Sequence, residues 1–169
     1  MILIPRRALV AGALALPALA GARAQGQDPE NTLLMVIKAG TVTIQLRPDL
    51  APQHVERIKV LTRQGFYNGT PFHRVIEGFM AQGGDPTGTG TGGSPLPNLR
   101  SEFVPASRAR FLRGTCGMAR TQDPHTANSQ FFIMFAPGSF LDGQYTIWGQ
   151  VVAGMDAVDR IKRGVGQSG

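Results

Sequence analysis

Val42, Ile44 and Leu46 alternate with Thr41, Thr43, Gln45 and Arg47. Strict alternation of apolar and polar residues is what a half-buried β-strand requires, because successive side chains point to opposite faces. The preceding run, Leu33 to Lys38, is apolar and β-branched, and Gly40 separates the two, so the pair reads as a hairpin. Further strands are expected at Pro71 to Ile76, Phe79 to Gly83, Phe111 to Ala119, Gln130 to Phe135 and Thr146 to Val152, punctuated by Gly, Pro and Asn, which favour turns. Two stretches have helical spacing instead. Asp49 with Pro52 opens the first, where Val55, Ile58 and Leu61 form one apolar stripe before Gly65 stops it. The second runs from about Met155 to Arg163, with Met155, Val158 and Ile161 inward. Many short strands with two helices describe a mainly β chain, an antiparallel barrel or sandwich capped by helices.

A chain of 169 residues, 42% hydrophobic and 17% charged, suits one domain with a single core. Residues 1–24 stand outside that core. Arg6-Arg7 form a positive start, Ala8 to Ala20 a short apolar run containing Pro17, and Ala22-Arg23-Ala24 an A-x-A-like cleavage site. This reads as a cleaved signal peptide, since a membrane-spanning helix needs about 20 apolar residues. An uncleaved anchor is the other reading. A periplasmic or secreted location follows, and the Arg-Arg pair also fits the twin-arginine route. Residues 25–31 read as a polar linker and 32–169 as the domain.

Loss of the leader lowers the formal charge from +6 to +3. No Lys/Arg block remains, so nucleic acid is not implied. The single cysteine, Cys116, reads as a small buried hydrophobe. His54, His73, His125 and Cys116 are scattered without metal-ligand spacing, so neither metal nor cofactor is expected. The run Gly88 to Gly93 lacks the Lys-Ser/Thr of a phosphate loop and is followed by Ser94-Pro95; a flexible surface loop is expected.

Candidate site residues begin in the stretch Phe72 to Asp85, where one cation and one amide are spaced through an apolar, aromatic-bearing run. If Arg74 to Gln82 is extended, Arg74, Ile76, Gly78, Met80 and Gln82 share one face. A guanidinium, a carboxamide and a thioether on one wall suit a neutral, amide-containing ligand with an apolar ring. An arginine beside an apolar run equally serves as a solvated head over the rim of a core. Asn128 to Phe135 again interleaves an amide with aromatics, and Phe140 to Tyr145 follows a turn at Pro137-Gly138. His73 alternates away from Arg74 and reads as structural. Phe131 reads as core, because Gln130 and Phe132 point the other way. Met80 and Leu141 fit core or pocket.

The segments FHRVIEGFMAQGGDPTGTGTGG, GTCGMARTQDPHTANSQFFI and FLDGQYTIWGQVVAGMD, in this order, resemble those of cyclophilins, the cyclosporin-binding peptidyl-prolyl cis-trans isomerases. The resemblance runs from about Asn31 to Gly164. It implies an eight-stranded closed antiparallel barrel with a helix over each end. Cyclophilins usually continue for a loop and a final strand beyond the point where this chain stops, so the barrel is expected to lack its C-terminal strand.

The resemblance also implies roles. Arg74 is the catalytic residue, and Phe79, Met80, Phe132 and Leu141 form the pocket for a proline ring. Gln82 hydrogen-bonds the substrate backbone or holds Arg74. The backbone at Ala119 and Arg120, with Gln130, pairs with an extended substrate chain. Phe140, Tyr145 and Arg120 stand at substrate-binding positions where many animal members carry Trp, His and Asn. Phe140 lacks an indole N–H, so weak cyclosporin binding with surviving isomerase activity is expected. The implied partners are X-Pro segments of exported proteins as they fold, met by a monomer. A non-catalytic peptide-binding or chaperone module using the same groove is the alternative. The presence together of Arg74, Phe79, Met80, Gln82 and Phe132 speaks for the enzyme, since a module that only binds can lose the cation.

Overall fold

A computed structural model describes residues 28–164; the expected signal peptide and the start of the linker lie outside them. The elements in order are β1 (Thr32–Ile37), β2 (Gly40–Leu46), α1 (Pro52–Arg63), β3 (Arg74–Ile76), β4 (Met80–Gly83), β5 (Thr115–Met118), β6 (Phe131–Met134), β7 (Ile147–Ala153) and α2 (Met155–Asp159). Each expected strand is present, several trimmed at their ends. The run from Phe111 shrinks most: Gly114 sits at φ 79° and the Leu112 N–H turns back to the Arg110 carbonyl, so pairing begins only at Thr115.

The strands form one seven-stranded sheet in the order β1-β2-β7-β5-β6-β4-β3, antiparallel at every step. Among the described residues β1 and β3 are the outer strands and no ladder joins them. The sheet therefore curls without closing, one strand fewer than the eight of a complete barrel, as expected for a barrel short of its last strand.

Both faces of the curl are buried. On β6, Phe131, Ile133 and then Phe135 point into the interior cluster with Cys116 and Trp148. Phe132 and Met134 point outward into a second cluster with Met80, Phe111, Leu141 and Ile147. A strand apolar on both sides is the mark of burial between two layers, and the outer layer is the floor of the site described below.

The helices seat where the stripes place them, with different ends. Val55, Ile58 and Leu61 of α1 are buried as expected, and His54 joins them at 0% exposure. Asp49 does not cap α1. It pairs with Arg47 at 2.7 Å, while the N–H groups of Gln53 and His54 donate to the Glu102 carboxylate at 3.1 and 3.0 Å. α2 ends at Asp159, not Arg163. The Arg160 and Ile161 amides tighten onto the carbonyls three residues back, and Arg163 folds over the Phe135 ring at 4.1 Å and reaches Glu77 at 2.7 Å. At the other end, Glu30 is tied to Lys59 and Arg63 of α1 at 3.0 and 2.8 Å.

Candidate active site

Arg74 and Gln82 meet through a hairpin, not through one extended strand. β3 and β4 pair Arg74 with Gln82, Val75 with Ala81 and Ile76 with Met80, and Gly78 makes the turn at φ 68°, a left-handed value that glycine adopts without strain. Directly opposed residues share a face. Arg74, Ile76, Met80 and Gln82 thus do form one wall, while Gly78 leaves it for the turn.

The wall opens on a pocket of about 110 Å³ lined by Arg74, Phe79, Met80, Gln82, Ala119, Arg120, Phe132, Leu141 and Tyr145. A volume of that order has room for a small ring. Met80, Phe132 and Leu141 are buried and make the floor. Phe132 lies stacked on Phe111 at 5.6 Å and edge-on to Tyr145 at 5.8 Å. Gly117 lets Phe132 lie there: a Cβ at that position would run into both the Phe132 and Phe111 rings.

Arg74 stands exposed at the rim and is held by a chain of amides. Its Nη1 lies 3.4 Å from Gln82 Oε1, Gln82 Nε2 donates to Gln130 Oε1 at 2.9 Å, and Gln130 Nε2 donates to the Gly90 and Gly92 carbonyls at 2.9 and 2.8 Å. The amides of those same two glycines donate to Asp85 at 2.7 and 3.1 Å, as do the Thr87 N–H and hydroxyl, each at 2.8 Å. Burial alone would push the Asp85 carboxyl up, but the Thr87 hydroxyl and N–H and the amides of Gly92 and Gly90 hold it well below the usual carboxylate range. The Gly-Thr segment, expected to be a flexible loop, is thus wound around a fully buried carboxylate. Asp85 was not among the expected site residues. Its sequence signal is an Asp two residues before Thr in a glycine-rich run, the pattern of an Asx turn.

Two expected residues stand beside the pocket. Gln130 sits behind Gln82 as the link to the Asp85 loop. Phe140 is 64% exposed and leans on Phe79 at 5.4 Å. The Ala119 N–H donates to the Gln130 carbonyl at 2.9 Å, so backbone pairing with a ligand at Ala119 falls to its carbonyl. Arg120 lies over the Tyr145 ring at 4.3 Å. His73 is only partly exposed and lies outside the pocket, and Phe131 belongs to the interior cluster.

The lining holds no carboxylate, thiol or imidazole. Cys116 is buried in the interior, where burial pushes its thiol far up. Among the described residues no three His, Cys, Asp or Glu side chains group as metal ligands. The arrangement can bind a small apolar ring and present a fixed cation to it.

Comparison with known proteins agrees with this geometry. The family model described as cyclophilin type peptidyl-prolyl cis-trans isomerase/CLD matches residues 32–169. A probable peptidyl-prolyl cis-trans isomerase of Brucella suis is 55% identical over 94% of this chain and 86% of its own length. Human peptidyl-prolyl cis-trans isomerase-like 1 is 42% identical, covering 79% of this chain and 80% of its own. A Cryptosporidium parvum cyclophilin type peptidyl-prolyl cis-trans isomerase, crystallised in the presence of the dipeptide Ala-Pro, superposes with a TM-score of 0.74 at 30% identity over 81% of this chain and 89% of that one. With the curled antiparallel sheet, the outward pocket and the family match over the whole described domain, this chain belongs to the cyclophilin-type peptidyl-prolyl cis-trans isomerases.

Proposed function

We propose that Arg74 is the residue that accelerates X-Pro rotation in this isomerase, and that the pocket beside it holds the proline ring. Rotation is slow because amide conjugation sets a barrier of about 18–20 kcal/mol. As the bond twists, the prolyl nitrogen becomes pyramidal and gains a lone pair that the planar amide lacks. A donor aimed at that nitrogen stabilises the transition state and not the ground state, which is the condition for raising a rate. Arg74 suits this task because its guanidinium is permanently charged and presents fixed N–H donors. No proton transfer and no covalent intermediate are required.

The single observation carrying this reading is an exposed guanidinium, backed by Gln82 at 3.4 Å, at the mouth of an apolar pocket sized for one ring. The relative crystallised in the presence of Ala-Pro supports reading that ring as proline. The test is cis-to-trans conversion of a short X-Pro peptide by wild type, Arg74→Ala and Arg74→Lys. Loss of a donor worth about 2.7–4 kcal/mol lowers the rate on the order of a hundredfold or more; equal accelerated rates for all three would sink the mechanism, and rates no faster than the spontaneous one for all three would favour the non-catalytic peptide-binding module.

Two finer proposals rest on the sequence. The leader pattern in residues 1–24 supports a role in folding exported proteins in the periplasm or outside the cell, checked by whether a reporter fused after Ala24 leaves the cytoplasm. Phe140, exposed and without an indole donor, supports weak cyclosporin binding, and a titration as tight as for Trp-bearing members overturns it.

A further inference from the structure

The pocket carries two arginines, Arg74 and Arg120, and no acid. Arg120 is the more firmly held. Its Nε and Nη2 donate to the Gln144 carbonyl at 3.2 and 2.9 Å, and its Nη1 to the Thr121 and Gln122 carbonyls at 2.8 and 3.2 Å. Its Cζ lies over the Tyr145 ring, 4.3 Å from the centroid. Those bonds occupy four of the five N–H donors of a guanidinium, and every acceptor is a neutral carbonyl.

Position is therefore fixed while the charge is left whole. Among the described residues no carboxylate lies within ion-pair distance of Arg120 or Arg74, as is also true of Arg57, Arg100, Arg108 and Arg110, whereas Arg47, Arg63, Arg113, Arg160 and Arg163 each have one. Asp123 accepts the His125 N–H and Asp142 the Phe111 N–H, each at 2.8 Å, and neither forms an ion pair among the described residues. A surface arginine held only by carbonyls and a ring keeps its field, and holding it costs an incoming ligand no side-chain entropy.

We propose that Arg120 is a specificity-determining residue that makes X-Pro segments with an anionic side chain beside the proline the preferred substrates. This rests on the isomerase reading of the same pocket, and it adds the chemical class of the residue flanking the ring. The interaction is at a partly exposed rim, where a single charge pair changes an equilibrium by up to about fivefold. Attraction of a carboxylate and repulsion of an ammonium act in opposite directions, so the contrast between them is larger than either alone.

The experiment compares Ala-Pro, Glu-Pro and Lys-Pro peptides, and the same residues placed after proline, with wild type, Arg120→Gln and Arg120→Lys. Both kcat/KM and peptide dissociation constants are measured at about 0.01 M and 1 M salt, where the screening length is roughly 30 and 3 Å. The expected Glu-to-Lys preference in wild type is about fivefold or more at low salt, most of it lost at high salt. It shrinks by at least half in Arg120→Gln and persists in Arg120→Lys. A ratio is read within each variant, so a change in basal activity does not confound it. Equal values for Glu and Lys peptides in wild type, or a preference untouched by Arg120→Gln, overturn the proposal. Failure to turn over the Ala-Pro peptide is a different result: it strikes the isomerase reading, while the dissociation constants still decide the charge preference.

Discussion

Arg74 is backed by a relay that runs from Gln82 through Gln130 to the glycine carbonyls and Asp85 and ties the rim of the pocket to a buried carboxylate. The pocket floor depends on an equally local fact. Gly117 has no Cβ to strike Phe132 and Phe111, and with less than 3.0 Å available at either ring the strand or the rings must move. Gly117→Ala should therefore cost about 1–3 kcal/mol, the usual range for overpacking a core. It should also weaken binding of an X-Pro peptide by displacing Phe132 from the floor. Urea unfolding and a peptide titration read the two effects, and an unchanged midpoint with unchanged affinity contradicts the packing argument. Of these features the apolar pocket residues and Arg74 were legible in the sequence, through alternation within short runs and the family's motifs. Asp85 and Gly117 were not, because their importance lies in what approaches them from segments more than a few residues away.

At the scale of elements, α1 shows why local start signals misled. Asp49-Pro52 has the look of a helix entry, yet Ala51 occupies the cap position without a side-chain bond. The open amides are satisfied by Glu102, 48 and 49 residues away in sequence. The same carboxylate lies 2.6 Å from His54 Nδ1, which places a proton on that nitrogen and leaves His54 Nε2 buried with no partner among the described residues. Burial lowers the His54 pKa and outweighs the raising effect of Glu102. Folding thus favours the neutral imidazole relative to the unfolded chain, which takes up a proton near pH 6.5. Stability from this group is present above the unfolded-state value near pH 6.5 and is lost as the pH falls through and below it. His54→Gln should flatten that decline. Glu102→Ala removes a cap and a charge-assisted hydrogen bond together and should cost about 2–4 kcal/mol. Urea midpoints measured between pH 7.5 and 5.5 test both, and a wild type whose midpoint rises on acidification would show the sign to be wrong.

For the whole molecule, the site exists because the strand order brings distant segments into register. β4 pairs with β6 through Gln82↔Phe132 and β6 with β5 through Gly117↔Phe132, so the arginine wall, the floor and the glycine that makes room for it are successive neighbours in one sheet. Strand existence was readable from period-2 runs, and the two helices from their stripes. The order of the strands was not, since local periodicity carries no information on which edges meet. Nor did it show that outward-facing side chains on β4 and β6 would be buried under a second layer. The proposed mechanism spans all three scales: the sheet holds Arg74 where it acts on the twisting bond and not on the resting substrate. The most direct test measures the dissociation constant of an X-Pro peptide and its catalysed exchange rate in one sample by NMR, for wild type and Arg74→Ala. The expected result is an exchange rate lower on the order of a hundredfold or more with affinity changed by only a few-fold; affinity lost in the same proportion as rate would mean that Arg74 merely binds.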